Sequence, residues 1–134
     1  RLEFERPDFA RPTADGGMQV ETNLFREALA SLYTPLSTRT LPLFVGYERV
    51  QHYELRLELP EERETRLRSR AGSWDYESKF GRFHREVKLD GHTLHIKTDI
   101  SLPVQRIAVD EYGAFQKWAQ DVEQSGVLFF NVRP

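Results

Sequence analysis

Cysteine is absent from all 134 residues, which excludes a disulfide framework, a thiolate metal site and a cysteine nucleophile within them. An excess of charge of either sign is also missing. Nineteen Lys and Arg stand against 21 Asp and Glu, a net charge of −2. The electrostatic basis for general affinity to nucleic acid or an anionic bilayer is therefore lacking, and neither is expected as a partner. The longest apolar run, Val127-Leu128-Phe129-Phe130, is far short of the ~20 residues a helical span requires, so membrane insertion is not expected. No glycine-rich phosphate loop, Gly-x-Ser-x-Gly elbow or His-Glu-x-x-His helix occurs. No cofactor is implied.

What the chain does contain is enough for one core. Hydrophobic residues make up 39% and aromatic residues 12%, too many for a disordered tail, and the length suits a single β-rich domain over residues 1–134. Arg1-Leu2-Glu3-Phe4-Glu5 alternates like a half-buried strand ending near Pro7, without an initiator Met or the apolar centre of a signal peptide. An opening inside a strand predicts a piece of a longer protein. Residues 1–35 read as an N-terminal extension or the end of a preceding domain.

The periodicity changes twice along the chain. After Asp15-Gly16-Gly17, the residues Leu24, Phe25, Ala28, Leu29, Leu32 and Tyr33 recur at three- and four-residue spacing behind the candidate caps Thr22 and Asn23, which predicts a short helix closed by Pro35. Leu41-Pro42-Leu43-Phe44-Val45 carries a proline and belongs at a sheet edge, ended by Gly46. Tyr53, Leu55, Leu57 and Leu59 alternate with Glu54, Arg56 and Glu58, the pattern of a strand with one wet side. Trp74, Tyr76 and Phe80 mark another.

Phe80 to Leu89 runs into Asp90-Gly91, and the chain returns through Thr93-Leu94-His95-Ile96-Lys97. The dipeptide predicts a type I′ hairpin pairing Val87 with Leu94, Leu89 with His92 and Glu86 with His95. Val87, Leu89, Leu94 and Ile96 then face inward, and His84, Glu86, Lys88, Thr93, His95 and Lys97 face water. Leu102-Pro103 ends the second arm. From a cap at Asp110, the spacing of Tyr112, Phe115, Trp118, Ala119 and Val122 predicts a helix to about Gln124, with Gly126 after its end. Val127–Val132, apolar on both alternating faces except at Asn131, reads as a strand covered on both sides. The fold class is mainly β: sandwich-like antiparallel sheets, a short N-terminal helix and one amphipathic C-terminal helix.

Candidate chemistry is sparse. His92 and His95, with His84 and Glu86 nearby, come closest to a metal motif, but odd spacing on a strand sends two imidazoles to opposite faces. No metal site is expected. The run Glu61 to Arg70 mixes four arginines with three glutamates and reads as a solvated loop or edge strand. Trp74 and Tyr76 are the candidate binding residues, as an exposed stacking platform for a glycan or peptide. The bland reading of the same spacing is core. No catalytic residue is expected.

The order of short motifs carries a resemblance. Thr38-Arg39-Thr40-Leu41-Pro42-Leu43, Leu55-Arg56-Leu57-Glu58-Leu59-Pro60, Phe80-Gly81-Arg82-Phe83, Leu102-Pro103 and Val109-Asp110-Glu111-Tyr112-Gly113-Ala114-Phe115 together resemble the C-terminal β-domain of bacterial transglutaminase-like proteins. In those proteins an uncharacterised N-terminal β-domain precedes a papain-like core, and the resemblance spans Leu36 to Val132. It implies an accessory module, because the catalytic Cys-His-Asp triad of the family sits in its middle domain. It further implies a periplasmic or cell-surface location, and a partner that is the preceding core or another protein. The alternative is a glycan- or peptide-binding module using Trp74 and Tyr76.

Overall fold

The computed structural model describes residues 10–14, 17–21, 28–58, 64–67, 72–125 and 127–133, and the expected strand at Leu2 and Phe4 lies outside them. In chain order the elements are β1 (Ala10–Pro12), β2 (Gly17–Glu21), α1 (Leu29–Tyr33), β3 (Leu43–Val45), β4 (Arg49–Glu58), β5 (Glu64–Leu67), β6 (Gly72–Ser78), β7 (Gly81–Asp90), β8 (Thr93–Leu102), β9 (Gln105–Ile107), α2 (Tyr112–Gln124) and β10 (Val127–Arg133). The chain is mainly β. One antiparallel sheet has the order β1-β2-β10-β5, a second has the order β4-β8-β7-β6, and β3 and β9 form a separate ribbon. The apolar β10 lies inside the first sheet, and the charged β5 forms its edge, the place where charge discourages unwanted pairing.

The second sheet has one dry and one wet face because its strands alternate. Along β4, Tyr53, Leu55 and Leu57 are half-buried while His52, Glu54, Arg56 and Glu58 are exposed. In β7 and β8, Phe83, Val87, Leu94, Ile96, Ile100 and Leu102 are buried. The hairpin joining them differs from its expected form. Asp90 pairs with Thr93, Leu89 with Leu94 and Val87 with Ile96, so the two-residue loop is Gly91-His92 and the register is displaced by two. Gly91 has φ +55° and no non-glycine residue among those described has positive φ, which is the sign pattern of a type II′ turn and not type I′. Glycine is needed at the first loop position, and Asp90 is left to the strand. A displacement of two keeps every side chain on its expected face.

Helix α2 docks across the β6–β7 end of this sheet. Tyr112, Phe115, Trp118, Ala119 and Val122 are its buried stripe, as the spacing predicts. Phe115 meets Phe80 edge-on at 5.4 Å, and the Trp118 indole N–H donates to the Tyr76 carbonyl over 2.9 Å. The expected cap at Asp110 is displaced by one residue. Glu111 occupies the N-cap position without a side-chain cap bond, and its carboxylate is instead drawn to the Lys79 ammonium. At the other end the Ser125 hydroxyl donates to the Val122 carbonyl over 2.6 Å; Gly126 lies outside the described residues.

Helix α1 has five residues, too few to persist without tertiary support. Its candidate caps Thr22 and Asn23 lie outside the described residues, and Ala28 at the N-cap supplies no side-chain bond. Support comes from α2: the Glu123 carboxylate accepts the Ala30 N–H at 3.1 Å, and Tyr33 packs edge-on to Phe115.

Two apolar clusters fill the dry face. One gathers Phe80, Phe83, Ile100 and Leu102 under α2, together with Leu29, Val45 and Ile107. The other contains Val87, Leu94 and Ile96, with Leu55, Leu57, Trp74 and Leu89 packed around it. Between them a single row crosses all four strands, because Trp74 is opposite Arg85, Arg85 opposite Thr98, and Thr98 opposite Tyr53. Arg85 is fully buried. Its guanidinium donates to the Thr98 hydroxyl at 3.1 Å and the Tyr53 hydroxyl at 2.8 Å, and lies 5.5 Å from the Phe83 ring centroid. A buried cation is costly unless bonded, and the two hydroxyls anchor this one through Nε and Nη2.

Candidate functional site

The residues singled out from sequence lie on the dry face. Trp74 and Tyr76 are half-buried on β6, Trp74 against the Val87 cluster and Tyr76 against the cluster under α2. Tyr76 stacks on Phe83 at 6.0 Å and 20°. The two rings therefore share a strand face with packing side chains, and a ligand platform would have only their open halves to offer.

The wet face of the same sheet is a charge ladder. Asp75, His84, Asp99 and His52 form one row across β6, β7, β8 and β4. His84 Nδ1 lies 2.6 Å from Asp75 Oδ1, and His52 Nδ1 lies 2.5 Å from Asp99 Oδ1. The next row alternates Glu86, Lys97 and Glu54, with Lys97 3.2 Å from Glu54. The Lys88 ammonium, hydrogen-bonded to the Glu86 carboxylate, holds that acid below its ordinary range. Across these strands each carboxylate faces an imidazole or an ammonium as its hydrogen-bonding partner. Among the described residues no three His, Asp or Glu side chains are grouped to hold a metal ion. His92 sits in the hairpin loop and His95 on the wet strand face.

An open apolar surface lies elsewhere, where β3 leads into β4 and β8 leads into β9. Phe44 pairs with Arg106 and Val45 with Gln105, whereas Arg49 pairs with Leu102 and Val50 with Ser101. Carrying the first register onward sets Gly46 opposite Val104. Tyr47 and Glu48 are then left facing Pro103 alone, the two-against-one count of a β-bulge. Pro103 has no N–H to lose there. Tyr47, in this unpaired stretch, is 83% exposed.

Phe44 on the ribbon, Val104 just before β9 and Val50 at the start of the wet face of β4 are open as well, at 66%, 52% and 68% exposed. Leu43, Val45 and Ile107 of the ribbon point the other way and are buried, so the alternation of β3 and β9 fixes which side chains are open. A Cβ placed on Gly46 would meet the Phe44 ring at 3.5 Å, so that ring covers the glycine and extends the strip toward Tyr47. Phe, Tyr and Arg are the residue types enriched in protein interfaces, and Arg106 completes the set here. Sequence reading places Leu43–Val45 at an edge but does not expose this strip. Its only signals are the apolar triplet before Gly46-Tyr47 and the Leu102-Pro103 break, which become a bulge only once the chains pair.

Beside the strip is an open cleft of about 290 Å³ lined by Ser78, Lys79, Gly81, Arg82, Ser101 and Pro103. Of its lining, Ser101 pairs with Val50 and Pro103 precedes Val104 in the chain. Lys79 and Arg82 are held at its rim by surface pairs with Glu111 and Glu77.

Two antiparallel sheets, a ribbon and one docked helix define a mainly β domain, open and not closed into a barrel. Residues 17–126 match the family described as a domain of unknown function with a solved structure, DUF3858, and the chain belongs to that family. No curated protein and no solved structure matches it.

Proposed function

We propose that this domain is a non-catalytic accessory module that binds a protein partner through the strip formed by Phe44, Tyr47, Val50 and Val104. The observation that carries the reading is the exposure of two aromatic and two aliphatic side chains, Phe44, Tyr47, Val50 and Val104, around the junctions of β3 with β4 and of β8 with β9. Scattered apolar residues need no explanation, whereas a contiguous group rimmed by charge points to contact. Polar and charged residues, in contrast, cover the wet face of the second sheet beyond Val50, most of them engaged with one another.

The resemblance of Leu41-Pro42-Leu43, Phe80-Gly81-Arg82-Phe83 and the Val109–Phe115 stretch to the C-terminal domain of transglutaminase-like proteins supports a particular partner. In this reading the module supports such a core, or docks a protein partner, in the periplasm or at the cell surface. Trp74 and Tyr76 serve packing.

Photo-crosslinking tests the proposal. Benzoylphenylalanine placed at Tyr47 in the native host should give discrete protein adducts, identified by mass spectrometry, that are missing when the probe replaces Arg56 on the charged face. Equal labelling from both positions, or none from position 47, refutes it.

A further inference from the structure

We infer that the outer edge of β4 binds a second copy of this chain, the two β4 strands pairing antiparallel about a two-fold axis at Leu55. Two four-stranded sheets then become one continuous sheet. The seam runs from His52 to Glu58 and leaves Phe44, Tyr47 and Val104 free.

Backbone geometry opens that edge. The two-residue loop makes Asp90 and Thr93 a hydrogen-bonded pair, and the alternation of an antiparallel ladder then turns Leu94, Ile96 and Thr98 toward Leu57, Leu55 and Tyr53. The N–H and C=O groups of His52, Glu54, Arg56 and Glu58 are left pointing away from β8, where no strand lies among the described residues. The usual guards of an edge are a proline, a bulge or an inward charge. From His52 to Glu58, β4 has none of these and keeps an unbroken register with β8. By contrast β1 is three residues long and contains Pro12, and β6 carries Asp75 and Glu77, acids that would meet in a self-pair.

Side chains choose the occupant and the register. An axis at Leu55 sets Glu54 opposite Arg56, His52 opposite Glu58, Tyr53 opposite Leu57 and Leu55 opposite itself, with every side chain on its own face. An axis at Glu54 or Arg56 sets that charge against itself, and one at Tyr53 leaves Arg56 opposite Val50. The rows across the sheet end in step with the first choice. Asp75, His84, Asp99 and His52 would be followed by Glu58 of the second copy, and Glu86, Lys97 and Glu54 by its Arg56. Pairs already present lie inward of the edge or along it: His52 with Asp99, Glu54 with Lys97, Arg56 with Glu58. The second copy adds partners on the other side and displaces none of them. On the dry face Tyr53, Leu55 and Leu57 are half-buried, whereas Leu94 and Ile96 one strand inward are buried. The seam would cover those open flanks.

Sedimentation velocity across a concentration series should show a monomer–dimer equilibrium. Glu54→Lys and Arg56→Glu each set like charges across the seam twice, and each should weaken the dimer at least about tenfold. An equimolar mixture of the two variants restores opposite charges and should recover it as a heterodimer. The chain has no cysteine, so Leu55→Cys supplies an independent measure. Diamide should link Leu55→Cys to itself quickly, and Leu57→Cys, which would face Tyr53, slowly. A photo-crosslinking probe at Arg56 should label the chain itself and not the protein captured from Tyr47. A chain still monomeric at about 1 mM has no useful affinity for itself and overturns the inference. So does growth beyond two copies, a dimer indifferent to both charge reversals, or equal linking of the two cysteine variants.

Discussion

Gly81 lies so close to Trp118 that a Cβ added to it would stand 3.0 Å from the indole Cη2 and 2.5 Å from the Ser101 carbonyl oxygen. Helix α2 can rest on the β6–β7 turn only because position 81 has no side chain. Gly81→Ala should force the backbone or the helix aside and destabilise by about 1–3 kcal/mol, as overpacking does. Urea unfolding measures this, and an unchanged midpoint would contradict the docking geometry.

The complementary change empties the contact. Trp118→Ala removes a buried ring and the N–H bonded to Tyr76, and should cost about 3–5 kcal/mol. Lys117, exposed and joined to Asp121 one turn on, should cost about 0.5 kcal/mol or less when replaced by Ala. A near-neutral Trp118→Ala would argue that the indole serves binding and not packing.

The loop Gly91-His92 makes a separate demand. With φ +55° at Gly91, a β-branched residue is forced into a region it avoids. Gly91→Val should destabilise by about 1 kcal/mol or more in thermal melts, although no atom lies within 4 Å of the added Cβ.

The Lys79–Glu111 pair predicts a pH response. Its hydrogen bond to Lys79 draws the Glu111 carboxyl below its ordinary value of 4.5. Because the folded value is depressed, the stabilisation is present above the unfolded value and is lost as pH falls through the lower folded one. A carbon-detected NMR titration should place the Glu111 midpoint below the ordinary value, and Lys79→Met should return it upward. A midpoint unmoved by Lys79→Met would dismiss the pair as a solution contact.

Removing the exposed strip should leave the fold alone. Phe44→Ser and Tyr47→Ser, both at open positions, should shift stability by about 0.5 kcal/mol or less each, as surface substitutions do. A large loss in urea unfolding would reassign the two rings to the core.

How much of this was legible in the chain depends on what each pattern can encode. The stripe of α2 was plain, because five bulky or small apolar residues at helical spacing have no other way to share a face. Strand faces were plain for the same reason at period two. The hairpin register was not, since Val87 opposite Leu94 and Val87 opposite Ile96 satisfy the same alternation. The helix cap was missed by one residue because Glu111 engages Lys79, 32 residues earlier, and local propensity favours Asp110. For the candidate surface, the apolar character of Leu43–Val45 was visible, but its open side was not. That side depends on which chain pairs with it and on the bulge at Tyr47. Trp74 and Tyr76 drew notice as large aromatics, yet size alone does not say which face of a sheet is wet.

The buried Arg85 resolves an ambiguity that oil and water cannot. A two-step slip of β7 along β8 would preserve every inside and outside assignment, so apolar burial alone scores the two alignments alike. In the slipped alignment Arg85 would stand opposite Ile96, and Thr98 opposite Phe83, stranding a guanidinium without its hydroxyl in a dry layer. The cation thus works like a parity mark: it adds little to the total cohesion but makes one of two otherwise equivalent alignments readable. A domain stripped of that mark, with Arg85 and Thr98 both made aliphatic, could keep its melting temperature and still lose its single answer, showing doubled amide signals along β7 and β8 and none along α2.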